Sequence, residues 1–381
     1  MKRSTSRILT THTGSLPRPP ELAQIEHARD QRVAKANPQF EQMVSAAVKA
    51  AVDKQVAAGV DVVNDGEASK VSYSTYITDR VTGFDGDPMP RLPQAEESMF
   101  PEFYAGRAPP ATRFIAASCT GPITWKGDEL VQRDIANLKG ATQGVPAEEV
   151  FISSASPGVI AHFLSNAHYK DEEEYIFALA AAMKHEYRAI ADSGFLLQLD
   201  CPDLAMSWNR GEYAGRSYED FRKATAMHVE AINGAIQGIP PERIRLHLCW
   251  GNTETPHVRD IPFAQILDIV LTARVGALSF EGANPRHEHE WKLFKDVKLP
   301  GGMIIIPGVI DSTTNFVEHP ELVAERISRY ASVVGKENVI AGSDCGFGTS
   351  VISTTVHPSI AWVKLQAMAE GARLASKELW G

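Results

Sequence analysis

Residues 245–252 read Arg245-Leu246-His247-Leu248-Cys249-Trp250-Gly251-Asn252, an apolar run that closes on a histidine and a cysteine two positions apart. In an extended strand, residues i and i+2 share a face. The reading therefore sets His247 beside Cys249 and turns Leu246 and Leu248 to the opposite, packed side. An imidazole and a thiolate at the end of a strand make half of a tetrahedral zinc site. Alone, the pair is weak evidence, because cysteine is among the most buried residue types and histidine is commonly satisfied inside a core. Its weight depends on what other strands bring to the same end of the fold.

Similar runs, short and rich in β-branched residues, recur along the chain. They predict strands at Ile8–His12, Asp61–Asn64, Phe114–Cys119, Val150–Ser154, Phe195–Asp200, Ile244–Cys249, Ala277–Glu281, Met303–Ile310 and Asn338–Ser343. Between them, apolar residues at three- and four-residue spacing predict helices at Glu41–Ala58, Glu172–Ser193, Tyr218–Gln237, Pro262–Val275, Pro320–Val334 and Pro358–Leu379. Strands alternating with helices mark a parallel α/β fold. The expectation is an α/β chain folded as a (β/α)8 TIM barrel, one domain over residues 1–381. Nine strand candidates exceed the eight of a barrel, so one is accessory. Gly83 to Pro110, rich in Pro, Gly and acidic residues, is an irregular insertion that serves either as a lid or as plain surface, and Pro17 to Pro38 is an accessory N-terminal arm with some helical character.

Composition narrows the partners. The chain has 381 residues, 44% of them hydrophobic and 22% charged, with a net charge of -9 and no cluster of Lys and Arg. That balance excludes a disordered chain and argues against nucleic-acid or anionic-membrane binding, and favours small-molecule partners. No run approaches the roughly 20 apolar residues of a membrane span, and the N-terminal residues lack the apolar stretch of a secretory signal. A cytoplasmic protein is expected, with homo-oligomer formation left open. Cys119, Cys201, Cys249 and Cys345 are widely spaced, which suits reduced thiols or metal ligands better than a disulfide framework.

In a parallel barrel the active site forms at the C-terminal strand ends. Those ends carry His12 with Gly14-Ser15, Asp65 with Gly66-Glu67, Thr120-Gly121-Pro122, Asp200, His247 with Cys249, Glu281, Asp311, and Asp344-Cys345. Polar strand ends occur in any barrel, so residue type decides. His247, Cys249, Glu281 and Cys345 are groups of the kinds that zinc accepts, and together they make Zn2+ the expected cofactor. Cys345 reads as standing at a strand-loop junction near a helix N-terminus, where a thiolate is favoured. Cys119 and Cys201 sit inside apolar surroundings as packing residues. Arg286-His287-Glu288-His289 reads as a solvated helix start, with a proton donor or anion contact as the functional alternative.

At these residues the chain resembles the C-terminal catalytic barrel of cobalamin-independent methionine synthase and the wider family of zinc-dependent thiol alkyltransferases. The resemblance begins at Thr10-Thr11-His12-Thr13-Gly14-Ser15-Leu16-Pro17, runs through Gly66-Glu67 and Gln198-Leu199-Asp200-Cys201-Pro202, and ends at Asp344-Cys345-Gly346. It implies a methyltransferase that activates a thiol, homocysteine or similar, for attack on a methyl donor. It also implies a carboxylate site at Gly14 and Ser15, an ammonium site at Glu67 and Asp200, catalytic roles for Glu67, Asp200 and Asp311, and zinc ligands at His247, Cys249, Glu281 and Cys345. The departures lie on the donor side. The family's histidine two residues after the aspartate of Gly-Val-x-Asp is Thr313 here, in Gly308-Val309-Ile310-Asp311-Ser312-Thr313. The family's Asp-Glu-Pro is Asp200-Cys201-Pro202, and no Lys or Arg appears within Gly346-Phe347-Gly348-Thr349-Ser350. Two alternatives stand beside this reading. One is thiol alkylation of the epoxyalkane–coenzyme M transferase type, with Arg18 as the candidate for a sulfonate. The other is a metal-free barrel of the uroporphyrinogen decarboxylase type or a binding barrel.

Overall fold

The structure is a computed structural model and describes residues 1–30, 37–89, 93–106, 117–351 and 355–381. Eight parallel strands run around the molecule: β1 (Leu9–Thr10), β2 (Val62–Val63), β3 (Glu149–Ala155), β4 (Leu196–Asp200), β5 (Ile244–Leu248), β6 (Ala277–Phe280), β7 (Ile304–Ile310) and β8 (Ile340–Ser343). Each neighbour in sequence is a neighbour in space, and β1 pairs with β8 through Leu9 and Ile340. The remaining seam, between β1 and β2, is drawn together where Asp61 N–H donates to the Thr10 carbonyl at 3.1 Å and Thr11 Oγ1 donates to the Val62 carbonyl at 3.1 Å. The result is the expected (β/α)8 barrel.

Alternation along the strands sorts the core into layers. Leu246 and Leu248 of β5 belong to the large cluster between strands and helices, whereas Leu9, Ala277, Ile304, Ile306 and Ile340 form a separate cluster within the barrel. Val62, Phe151 and Leu196 form a second interior group. Because side chains alternate, the residues that follow this apolar plug on the inner face are Arg245 and His247 on β5, Gln198 and Asp200 on β4, and Ser153 on β3. Packing at the bottom and polarity at the top thus follow from period two.

Some expectations are corrected. The ninth candidate, Phe114–Cys119, falls partly outside the described residues. Its described end makes only isolated bridges, Ser118 to Gly86 and Cys119 to Asn166, so this segment is the accessory piece. Pro262–Val275 is no continuous helix. It makes a 3-10 turn at Phe263–Gln265 and one α-turn at Leu267–Val270, with Ile266 at φ -130° between them, while Phe263, Leu267 and Val270 still reach the core. The first N–H of the segment, that of Phe263, is capped by buried Glu290 Oε1 at 2.7 Å. The arm contains a helix at Pro20–Asp30. A further helix at Asp128–Thr142 buries Val131, Ile135 and Leu138, and its three- and four-residue spacing was legible but not read.

The insertion crosses the strand-end face. Ala95 N–H donates to the Asn209 carbonyl at 2.8 Å, and fully buried Glu96 accepts from Val258 N–H at 2.6 Å and Tyr104 O–H at 2.8 Å. Its described part is therefore tied to the loops after β4 and β5. No described helix is long and apolar enough to cross a membrane.

Candidate metal centre and substrate pocket

His247 and Cys249 leave β5 on the inner face and meet Cys345 from the loop after β8, all three buried. Their ligand atoms lie within 4.8 Å of one another, the one such group of three among the described residues. The donor set fits a metal on observations internal to the chain. His247 Nε2 is buried without a hydrogen-bond partner, and its Nδ1 lies 3.3 Å from Ser279 Oγ. Burial and the Arg245 guanidinium push this imidazole down to about 3, so it is neutral at pH 7, the form that binds a cation. The Cys345 contact and burial both push the Cys249 thiol up, so a thiolate here requires added positive charge.

Glu281 follows β6 and is 4% exposed, but it stands outside that group of three. Its Oε1 accepts from Trp250 N–H at 2.7 Å and its Oε2 from the Asn284 amide at 2.9 Å. The turn that carries it is clamped by Asp344, whose Oδ1 accepts from Gly282 N–H and Ala283 N–H at 2.8 Å each. Gly308 permits this clamp, because a Cβ there would fall 1.9 Å from Asp344 Oδ1.

A second polar cluster sits where Gly14, Glu67 and Asp200 converge. Glu67 adopts φ 56°, a conformation that costs of order 1 kcal/mol or more for a residue with a side chain. Two short turns enforce it, with Asn64 Oδ1 accepting from Gly66 N–H and Asp65 Oδ1 from Glu67 N–H, both at 2.9 Å. Desolvation raises the carboxyl pKa of both Glu67 and Asp200, and in Asp200 the charge of Glu67 raises it further. Gln198 holds Asp200 through its amide at 2.7 Å and also donates to the Thr13 carbonyl. Around this pair, Asn64 Nδ2, Glu67 Oε2, Ser153 Oγ and Gln198 Oε1 are buried polar atoms without hydrogen-bond partners. Such a concentration of unsatisfied groups marks a place built for a polar ligand. Gly14 leaves the space open, since a Cβ there would lie 2.5 Å from Ser153 Oγ and 2.7 Å from Glu67 Oε1.

The loop after β1 joins the two clusters. Gly14 borders Glu67, while Ser15 packs so closely on the loop after β8 that a Cβ on Gly346 would fall 2.0 Å from Ser15 Oγ. Phe347 N–H donates to the Ser15 carbonyl at 2.9 Å. Gly14 N–H is already turned onto His12 Nδ1 at 3.2 Å, so Ser15 carries the donor capacity expected of this loop.

The other predicted residues are placed differently. Asp311, at the end of β7, accepts from the backbone N–H and hydroxyl of both Thr313 and Thr314 at 2.6–3.0 Å. Burial opposes its ionisation, yet these bonds hold the carboxyl below the usual range. The Arg18 guanidinium donates to the carbonyls of Gly348, Glu67 and Lys70 at 2.6, 2.8 and 2.8 Å, which corrects its reading as a sulfonate contact. His287 is no solvated helix start. It is buried, stacks on Trp250 with ring centroids 3.9 Å apart, and bridges Asp260 and Glu290 at 2.9 Å each.

Sequence reading missed several groups. Arg245 projects into the barrel, over the Phe151 ring at 4.2 Å, and donates to Thr11 Oγ1 at 2.9 Å and the His12 carbonyl at 2.8 Å. Its inward period was legible, since it shares a face with His247. Lys70, 1% exposed, donates to the Ser153 carbonyl and partly offsets the Glu67 and Asp200 charges. Tyr73 is a phenol near both clusters, and burial first, with the neighbouring Cys249, Cys345 and Asp200 adding to it, pushes its pKa well up, so that it keeps its proton.

A parallel barrel with an imidazole, two thiols and a carboxylate pair at its strand ends belongs to the class of TIM barrels that gather reactive groups on the face where such enzymes carry their active sites. The catalytic-domain model of the cobalamin-independent synthase family matches residues 161–372, and the chain belongs to that family. It is 25% identical over 375 residues to a methionine synthase of Saccharolobus islandicus, covering 97% of this chain and 95% of that one. It is also 25% identical over 362 residues to a 2-hydroxypropyl-CoM lyase of Xanthobacter autotrophicus, covering 87% and 85%. Among solved structures, a B12-independent methionine synthase from Shewanella in complex with selenomethionine has the same fold, with TM-score 0.73, 18% identity and coverage of 98% and 99%.

Proposed function

We propose that the protein is a methionine-synthase-like alkyltransferase that moves a methyl group from a small donor to the sulfur of an amino-bearing thiol of the homocysteine type. His247, Cys249 and Cys345 would hold Zn2+, with Glu281 as a fourth, exchangeable ligand. The observation that carries the reading is that one loop, Gly14-Ser15, borders Glu67 of the buried carboxylate pair on one side and packs on Gly346, the residue after Cys345, on the other. When bound, the metal supplies positive charge that keeps a thiol ionised at neutral pH. Everything else falls to the chain. Glu67 and Asp200 face an ammonium group, Gln198 fixes Asp200, and Ser15 meets a carboxylate. Asp311 stays ionised and shapes the loop after β7 on the donor side. The S–C bond forms as the bond from that carbon to its leaving group breaks, the electron pair departing with the leaving group. Small metabolites and reduced thiols fit a cytoplasmic enzyme.

The similarity to 2-hydroxypropyl-CoM lyase favours a second reading, a sulfonate-bearing thiol. Two buried carboxylates oppose a sulfonate, and Arg18 is committed to carbonyls, so homocysteine is the first choice. The test has two arms. Elemental analysis should give about one zinc per chain, lost in Cys249→Ala or Cys345→Ala, and no zinc would leave the metal-free barrel standing. Alkylation assays with homocysteine and with coenzyme M decide the thiol, and turnover of coenzyme M alone would overturn the first reading.

A further inference from the structure

Glu281 is the one member of the proposed ligand set whose carboxylate is already held on both oxygens, and neither holder offers itself to a metal. Those holders are themselves fixed. Asn284 Oδ1 accepts from Arg286 N–H at 2.9 Å, so the amide nitrogen has to face Glu281. Asp344 pins the intervening residues through Gly282 N–H and Ala283 N–H. On the other side, the Trp250 indole N–H donates to the Ile261 carbonyl at 2.7 Å, and its ring stacks on His287. Asp260 holds His287 and also His257, at 2.9 and 2.7 Å. Two directed donors on a buried carboxylate are charge-assisted hydrogen bonds, among the stronger kind.

We propose that Asn284 is a positioning residue. With the Trp250 N–H it forms a dock that competes with the metal for the Glu281 carboxylate. Glu281, already read as the exchangeable ligand, would find both oxygens satisfied in this dock once released, while His247, Cys249 and Cys345 have no such alternative partner pair among the described residues. The inference rests on the zinc reading above and adds to it the reason why one ligand is exchangeable. A carboxylate oriented only as a metal ligand would gain from its partners, whereas a docked one is drawn away by them.

The two cases differ in sign. Zinc affinity is measured by competition with a chelator, and homocysteine affinity for the zinc-loaded full chain by calorimetry. Asn284→Ala removes one charge-assisted hydrogen bond from the dock, so zinc should bind about tenfold tighter and homocysteine about tenfold more weakly. Asn284→Leu, which fills the space without a donor, should move both in the same directions and guards against a collapsed site. Both affinities falling together in the two variants, or neither moving, overturns the dock while leaving the zinc reading intact. A wild-type protein that binds no zinc overturns the zinc reading instead.

Discussion

Replacing Asp200 by Asn separates the ammonium contact from the fold around it. The side chain is 4% exposed at the end of β4. Its pKa is driven well above the ordinary value by burial first and by the Glu67 charge second, with Gln198 opposing. Asn keeps the shape, and its amide oxygen can take the Gln198 hydrogen bond, so no donor is orphaned. What disappears is a carboxyl that the substrate ammonium draws into its ionised form, a charge-assisted contact worth about 1.5–3 kcal/mol. Homocysteine should therefore bind the variant about 10- to 150-fold more weakly by calorimetry. 4-Mercaptobutyrate, the same thiol acid without its amine, should bind both proteins alike.

Stability should move the other way. A carboxyl with a raised folded pKa binds its proton more tightly in the native state, so native stability declines as pH rises above the ordinary value of 3.8. Asp200→Asn lacks that decline, and its melting temperature should gain on the wild type from pH 4 towards neutrality. Equal weakening of homocysteine and 4-mercaptobutyrate would refute the ammonium site.

Two further predictions test groups outside the donor set. Arg18→Ala removes three hydrogen bonds, to the carbonyls of Gly348, Glu67 and Lys70, of which that of Glu67 keeps a second donor in Lys70 N–H, at a cost of about 2 kcal/mol. The melting temperature should drop by several degrees with coenzyme M affinity unchanged, and a selective loss of that affinity would restore the sulfonate role. His228 is buried in a small cleft, where desolvation lowers its pKa but the Asp203 contact at 2.8 Å and Glu172 more than reverse this, raising it to about 9. The stabilisation is complete below the ordinary value of 6.5 and is lost as pH rises through about 9. Melting curves of wild type and His228→Gln should converge across that window, and parallel curves would show that the pair contributes nothing.

Much of the site was legible because strand periodicity and barrel geometry are local rules with a global consequence. His247 and Cys249 share a face because they are two residues apart, and a parallel barrel puts every strand's last residues on one rim. The same logic placed Glu67, Asp200, Glu281 and Cys345 there. Arg245 was equally legible by period and was missed because a charged residue in a strand interior reads as exposed. Pro262–Val275 misled for a different reason. Its apolar spacing is real and Phe263, Leu267 and Val270 are buried, but Ile266 leaves the helical backbone at φ -130° and splits the segment into two short turns.

By itself, the sequence determined the barrel, the rim on which chemistry could occur and the donor types present there, since all three follow from short-range period and residue chemistry. Tertiary structure decided what each group is for, because a side chain's role depends on partners far away in the chain. Arg18 is a loop tie because Gly348, 330 positions on, presents its carbonyl to it. Gln198 is an orienting group because it reaches Thr13 across the barrel, 185 positions back. Glu281 is set apart from His247, Cys249 and Cys345 by two hydrogen bonds, one of them from the backbone of Trp250, which no pattern of side-chain types encodes.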